Sequence, residues 1–448
     1  MTRLWDRGEE LDALVARFTV GTDPELDRVL VAHDALASAA HATMLARIGV
    51  LSAAELSTLL VELRAIAEEA RAGTFVIALS DEDGHTAIEN RLTARLGDAG
   101  RRIHTGRSRN DQVIAALRLF GRETLLDLAS ELCEVIRLLV ELAERHREVS
   151  VAGYTHTRQA MPATLGFFFA AHAEGLLDDL PWLQQGYAHL NRSPLGSASG
   201  YGVALPLDRQ LVSDLLRFER LQLNTLAVQN DRGKSEYLAL GAALAPCVDL
   251  GRLAHDLIWF SSEELGYVGL PDAVTTGSSI MPQKRNPDVL ELVRAHAARL
   301  RSRHAEVGAI FGPLYSGYQR DLQLTKEPFV HGLIGACDLV AAMRPVLGRL
   351  EVRPDRCRAA LQRSIGATDA VYERVARGEP FRSAYKDVAA DPASAVAGDP
   401  AEAWRKRTHL GAPGALDVEP YRVRLAEGDE WLVAERRRCV EAWELLGR

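Results

Sequence analysis

Along residues 112–149 the apolar positions Leu125, Leu128, Leu132, Val135, Leu139 and Leu142 recur at spacings that alternate between three and four, the seam of a helix packed against other helices. Glu123, Glu131, Glu134, Arg137, Glu141, Glu144 and Arg145 mostly fill the other faces. The stretch holds no proline and a single glycine, Gly121. It predicts one helix of roughly 57 Å at 1.5 Å per residue. Comparable patterns predict helices over 163–190 (interrupted at Pro181), 235–265 and 288–311. Helices well above the usual length of about 11 to 12 residues, following one another along the chain, predict an all-α protein built on an elongated bundle.

Before residue 108 the predicted helices are shorter, as over 53–72, where Ser52 stands as N-cap with Glu55 in capping-box register. After residue 350 the pattern breaks up, and the Pro, Gly and Asp residues of 389–420 read as loops between short elements. The expected division is an N-terminal helical domain at 1–107, a central long-helix bundle at 108–350 and a small C-terminal helical domain at 351–448. Two or three domains is the ordinary expectation for 448 residues. No internal repeat or low-complexity tract is visible.

Composition adds exclusions. A hydrophobic fraction of 47% and a charged fraction of 25% belong to an ordinary globular chain. With 53 basic and 61 acidic residues the formal net charge is −8, which argues against a nucleic-acid partner. No charge-free run of about 18 apolar residues occurs, so no membrane partner is expected. The first seven residues, Met1 to Arg7, lack the apolar core of a secretory signal. Cys133, Cys247, Cys337, Cys357 and Cys439 are odd in number, widely spaced and without a Cys-x-x-Cys pair. They predict reduced thiols in a cytoplasm. With no His-Glu-x-x-His motif, Cys-His cluster or acidic metal loop, no metal is expected, and because Gly196-x-x-x-Gly200-x-Gly202 fits no dinucleotide or P-loop fingerprint, no nucleotide cofactor is expected either.

Three polar loops carry the candidate chemistry. His104-Thr105-Gly106-Arg107-Ser108-Arg109-Asn110-Asp111-Gln112 sets two guanidinium groups and an amide at a helix start, suited to a carboxylate or phosphate; the same string also suits a loop whose Asp111 caps the helix. Gly153-Tyr154-Thr155-His156 offers a histidine able to act as acid or base near neutral pH. Gly277-Ser278-Ser279-Ile280-Met281-Pro282-Gln283-Lys284-Arg285-Asn286-Pro287 combines hydroxyls, an amide and two cations, and opens a helix containing Glu291.

In this order and with these residues, the three loops resemble those of the fumarase/aspartase superfamily, and within it the argininosuccinate lyases. The likeness runs from about residue 4 to about 382. It implies a three-domain helical subunit and a homotetramer whose active sites each draw loops from three subunits. The implied reaction is reversible elimination of arginine from argininosuccinate to give fumarate, in arginine biosynthesis. It further implies Ser278 as the base on carbon, His156 as acid-base partner at the leaving nitrogen, Glu291 orienting that histidine from another subunit, and Lys284 and Asn286 on the succinyl carboxylates. Ser38, Arg109, Asn110 and Thr155 match substrate contacts, and Tyr318, Gln323 and Lys326 match the segment that grips the arginine half. The substrate is an anion, so the relevant charge is local: Arg107, Arg109, Lys284, Arg285 and Lys326 lie on loops that assembly would gather.

Two segments depart from the family pattern. Val228-Gln229-Asn230-Asp231-Arg232-Gly233-Lys234 stands where V-S-D-R-D is usual, and Ser197-Ala198-Ser199-Gly200-Tyr201-Gly202 where G-A-L-A-G is usual. They bear on the leaving amine rather than on the elimination. The competing readings are a superfamily lyase acting on another N-succinyl amino acid or amine, and a non-catalytic crystallin-like relative.

Overall fold

The computed structural model describes residues 12–78 and 81–447; residues 1–7, read above for a secretory signal, lie outside them. The N-terminal part contributes α1 (Val31–Arg47), α2 (Ala53–Arg71) and α3 (Gly84–Leu96). The Ser52/Glu55 capping box that starts α2 forms in both directions.

The long seam folds as α4 (Arg109–Arg145, 37 residues), with all six seam residues buried. It begins before the predicted start, because Ser108 is the N-cap and the Asp111 carboxylate accepts the Ser108 N–H at 2.9 Å. A hairpin of β1 (Ser150–Thr155) and β2 (Arg158–Thr164) follows. The four helices after it are α5 (Leu165–Leu190), α6 (Lys234–Phe260), α7 (Asp288–Phe311) and α8 (Lys326–Gly348).

Three expectations are corrected here. The Gly153–His156 segment is a strand and hairpin tip rather than a loop. The expected interruption at Pro181 does not occur, since α5 runs through it as α6 runs through Pro246. A mid-helix proline costs about 3 kcal/mol, but Leu177, Leu180 and Leu183 around it are buried, and each contributes about 1.5–3 kcal/mol. Helix α6 also stops at Phe260, short of residue 265.

Helices α4 to α8 alternate in direction. Near the start of α5, Gly166 touches the end of α4 so closely that a Cβ would lie 2.4 Å from the Ala143 carbonyl oxygen. Phe168 of α5 meets Phe260 at the far end of α6, with ring centroids 5.0 Å apart. Tyr237 near the start of α6 stacks on His304 late in α7 at 3.9 Å. Phe329, early in α8, meets Phe120, early in α4. The bundle therefore has an Arg109 end and a hairpin end. Helix α6 and the segment Arg320–Gly348 are long and apolar enough by composition to cross a membrane, and half of each apolar window is buried in the fold.

A last helix, α9 (Glu419–Gly447), runs back along α4. Asp429 meets Arg137 and Trp443 donates to Glu123. Its Leu425 and Leu432 join the central core, while Ala442 and Leu446 join the core of α1 to α3. A third, small core of Ala370, Val371, Ala384 and Val388 remains with the rest of residues 351–448.

Candidate active site

At the Arg109 end, the capping interaction of Asp111 is only half of what that carboxylate does. Its second oxygen accepts the backbone N–H groups of Gly196 at 3.1 Å and Ala198 at 2.9 Å. Burial pushes the Asp111 carboxyl up to about 6 even though these donors and Arg107 favour its charge. The loop 104–112 is thus both a helix cap and a scaffold for one divergent segment. That segment contacts the other one, since the Gln229 side chain donates to the Ala198 carbonyl at 3.2 Å and packs against Gly200. Two departures separated in sequence are one site in space.

The predicted binding residues on this end are held by buried charge. Arg107 is buried and donates to the Ser38 hydroxyl at 2.8 Å, and Ser38 has no exposure. His41 bonds the Thr105 carbonyl at 2.9 Å, fixing the same loop. Burial, with Arg107 and Arg109 beside it, holds His104 down at about 4. Arg109 reaches Glu82 and Asp83, each at 3.3 Å, and the Thr86 hydroxyl at 2.9 Å. Asn110 is half-buried, and its side chain makes no hydrogen bond among the described residues.

Lys326, Gln323 and Tyr318 sit on the same end. The Lys326 ammonium, 2% exposed, lies 2.7 Å from Asp27 and 3.1 Å from Asp23. Asp27 also accepts the Gly84 N–H at 2.8 Å, which ties Lys326 to the start of α3. Next to it, His85 pairs with Asp34 at 2.5 Å; burial opposes a charged His85, yet Asp34 and the other carboxylates raise its pKa. Gln323 donates to the carbonyls of Thr19 and Val20. Tyr318 lies under the Arg232 guanidinium, 5.2 Å from ring centroid to Cζ.

The remaining predicted residues lie at the hairpin end, where Ser278 and Asn286 are half-buried and the others exposed. His156 and Thr157 form the hairpin tip with φ of 55° and 61°, the left-handed turn region that a β-branched residue rarely adopts. Thr155 and His156 are exposed. Tyr154 anchors the strand below them through a 2.6 Å hydroxyl contact with Tyr267. The Ser278 loop bridges α6 and α7 and is pinched at its base by pairing of Thr276 with Asn286 and Gly277 with Arg285. Ser278 accepts the Met281 N–H at 3.2 Å, leaving Lys284 and Glu291 exposed and Ile280 at 83% exposure.

Within one chain, then, the predicted site is split. Ser38, Arg109, Asn110, Tyr318, Gln323 and Lys326 gather at one end. Thr155, His156, Ser278, Lys284, Asn286 and Glu291 lie at the other, separated by α4, whose 37 residues span about 55 Å. No hydrogen bond or ion pair among the described residues joins His156 to Ser278 or to Glu291. Sequence reading missed Asp23, Asp27, Asp34 and His85. The Asp23/Asp27 spacing of four in Asp23-Pro24-Glu25-Leu26-Asp27 was the available signal, since it places both carboxylates on one helical face.

Comparison with known proteins bears on family and fold. A family model described as Lyase matches residues 8–301. An argininosuccinate lyase of Sorangium cellulosum (strain So ce56) is 45% identical over 423 residues, covering 94% of this chain and 98% of its own. One from Parabacteroides distasonis is 42% identical over 389 residues, 87% of each chain. Among solved structures, EDDS lyase in complex with formate has a TM-score of 0.82 at 24% identity, over 98% of this chain and 95% of that one. Fumarate lyase:delta crystallin from Brucella melitensis bound to cobalt has a TM-score of 0.70 at 20% identity, over 94% and 95%. At such identities these structures speak for the fold alone.

Proposed function

The chain belongs to the argininosuccinate lyase family, and from that premise we propose that it eliminates L-arginine from argininosuccinate to give fumarate, reversibly, in arginine biosynthesis, in active sites shared between the subunits of a homotetramer. The observation that carries the shared site is the division of the matched residues between bundle ends about 55 Å apart. Only a neighbouring subunit, running the other way, brings a hairpin end against an Arg109 end. The exposed Ile280 and the bare hairpin tip support the same reading, because both are surfaces that such a neighbour would cover. A cytoplasmic location belongs to it as well, supported by five cysteines without disulfides.

The chemistry follows from the groups. Breaking the C–N bond requires loss of a weakly acidic proton from the carbon beside a carboxylate. The electron pair left behind makes a dianionic aci-carboxylate, then forms the fumarate double bond as the C–N bond breaks, and the leaving nitrogen takes up a proton. Stabilising the dianion with preorganised donors is the largest catalytic term. In this reading Lys284 and Asn286 hold the succinyl carboxylates, and Ser278 removes the carbon proton as an alkoxide favoured by nearby cations and loop amides once the loop closes and excludes water. His156 serves the leaving nitrogen, with Glu291 of another subunit orienting it. Arg109, Asn110, Thr155, Tyr318 and Gln323 contact the substrate. Ser38 and Lys326, both buried, act from behind by fixing Arg107 and the Asp23/Asp27 pair.

The test supplies argininosuccinate, adenylosuccinate, aspartate and malate separately and follows fumarate by ultraviolet absorbance. Release from argininosuccinate alone is expected. Release from none would sink the enzymatic reading, and release from another N-succinyl compound would move the chain to a different lyase specificity.

A further inference from the structure

One buried cation at the Arg109 end has no carboxylate within ion-pair distance among the described residues. Arg232 belongs to the divergent segment 228–234, is 4% exposed, and makes no side-chain hydrogen bond or ion pair among the described residues; its Nε is buried without an acceptor. Burying an unpaired guanidinium is costly, so its retention asks for an anion. The neighbouring carboxylates Glu236 and Asp23 feel the Arg232 charge through space without coming within ion-pair distance, and each is bonded to another group. Glu236 accepts the Gly233 N–H at 2.7 Å, and Asp23 is taken up by Lys326 at 3.1 Å.

The backbone on either side of Arg232 is fixed. Asp231 accepts from Arg118 and Arg192, each at 2.7 Å. Gly233 takes φ of 82°, and a Cβ there would lie 2.6 Å from Cβ of Phe311. Arg232 is therefore held rigidly over the Tyr318 ring, and it lines a polar cavity of about 220 Å³ together with Asn230, Tyr315, Ser316, Gly317 and Leu322. Asn230 closes one wall by accepting the Gly317 N–H at 2.7 Å. The lysine that the family likeness assigns to the amino-acid carboxylate, Lys326, is meanwhile enclosed by two carboxylates of its own chain.

We propose that Arg232 is a specificity-determining residue that receives the α-carboxylate of the leaving amino acid in the cavity beside Tyr318. This rests on the lyase reading above and deepens it. A planar guanidinium, already stacked and already desolvated, suits a carboxylate in bidentate geometry. Because the cation is preorganised, little ordering opposes binding.

The experiment runs the reaction in reverse, from fumarate and either arginine or agmatine, the same guanidine without the carboxylate. The parent enzyme is expected to prefer arginine by at least about tenfold in kcat/KM, the range of one charge-assisted contact. Arg232→Met should bring that ratio close to one, chiefly by raising the KM for arginine, and Arg232→Lys should keep part of it. If Arg232→Met lowers both rates together and leaves the ratio intact, the role is structural and the proposal is overturned. Should the methionine variant fail to fold, an unaltered ratio in Arg232→Lys together with an unchanged KM for arginine would overturn it equally. Condensation of neither guanidine by the parent would overturn the lyase reading itself, and the proposal with it.

Discussion

The two ends of the bundle both carry polar and charged groups and treat them in opposite ways. At the Arg109 end, Lys326, Arg107, Asp111, Asp34 and His85 are buried and nearly every charge has a partner within its own chain. At the hairpin end, His156, Lys284 and Glu291 are exposed, and the Ser278 loop is held by short pairing at its base, the Ser278–Met281 turn and the Arg285–Asp272 ion pair at 2.7 Å. The difference separates two jobs. Groups that bind a substrate in place profit from a rigid, desolvated surround, which lowers the ordering cost of binding. Groups that act as acid and base on a loop need a dry site only while reacting, and in the proposed function that cover comes from another subunit.

Breaking the hairpin end should cost activity without cost to the fold. Ser278→Ala and His156→Ala are each expected to lose about 10² to 10⁴ in turnover, with the oligomer intact by light scattering; near-normal turnover in either would remove its assigned role. Next, Arg109→Met mixed with Ser278→Ala should recover part of the lost activity after subunit exchange, because some mixed sites then receive two unaltered ends. No recovery after verified exchange would count against shared sites.

The comparison sharpens when stability is read instead. Lys326→Met leaves the buried Asp27 and the half-buried Asp23 without their cation and should cost about 3–5 kcal/mol. Lys284→Met, at an exposed position, should change stability by no more than about 0.5 kcal/mol while lowering activity. Denaturant melts of both variants check this, and equal losses would erase the distinction between the ends.

The smallest effect is a pH dependence. His104 is held at about 4 in the folded chain, against about 6.5 when unfolded, so the unfolded state takes up the proton first. The stability linked to this group is complete above about pH 6.5 and is lost as pH falls toward 4. His104→Gln should therefore flatten the acid side of the melting-temperature profile, and an unchanged profile would mean that the ring is not held neutral.

The long helices and the three motif segments were legible because the signals are local. Leu125 to Leu142 repeat at helical spacing, and the motif residues adjoin one another. Ser52 and Glu55 formed their capping box three residues apart. Pro181 misled for the same reason, since a proline's local penalty says nothing of the leucines that bury the helix around it. The pairing of Asp27 with Lys326 spans |i−j| of 299, and that of Arg118 with Asp231 spans 113; no periodicity announces contacts of that kind.

By itself, then, the sequence determined the helical class, the order of the long helices and the family whose motifs name the candidate reactive side chains, because spacing and side-chain chemistry are properties of adjacent residues. Tertiary structure alone decided that the matched residues part to opposite ends of α4. It also decided that the two divergent segments meet through Gln229 and Ala198, that Lys326 is spent on its own carboxylates, and that Arg232 is left over. Burial assigns partners by proximity in space, and only the packed bundle sets which charges are near.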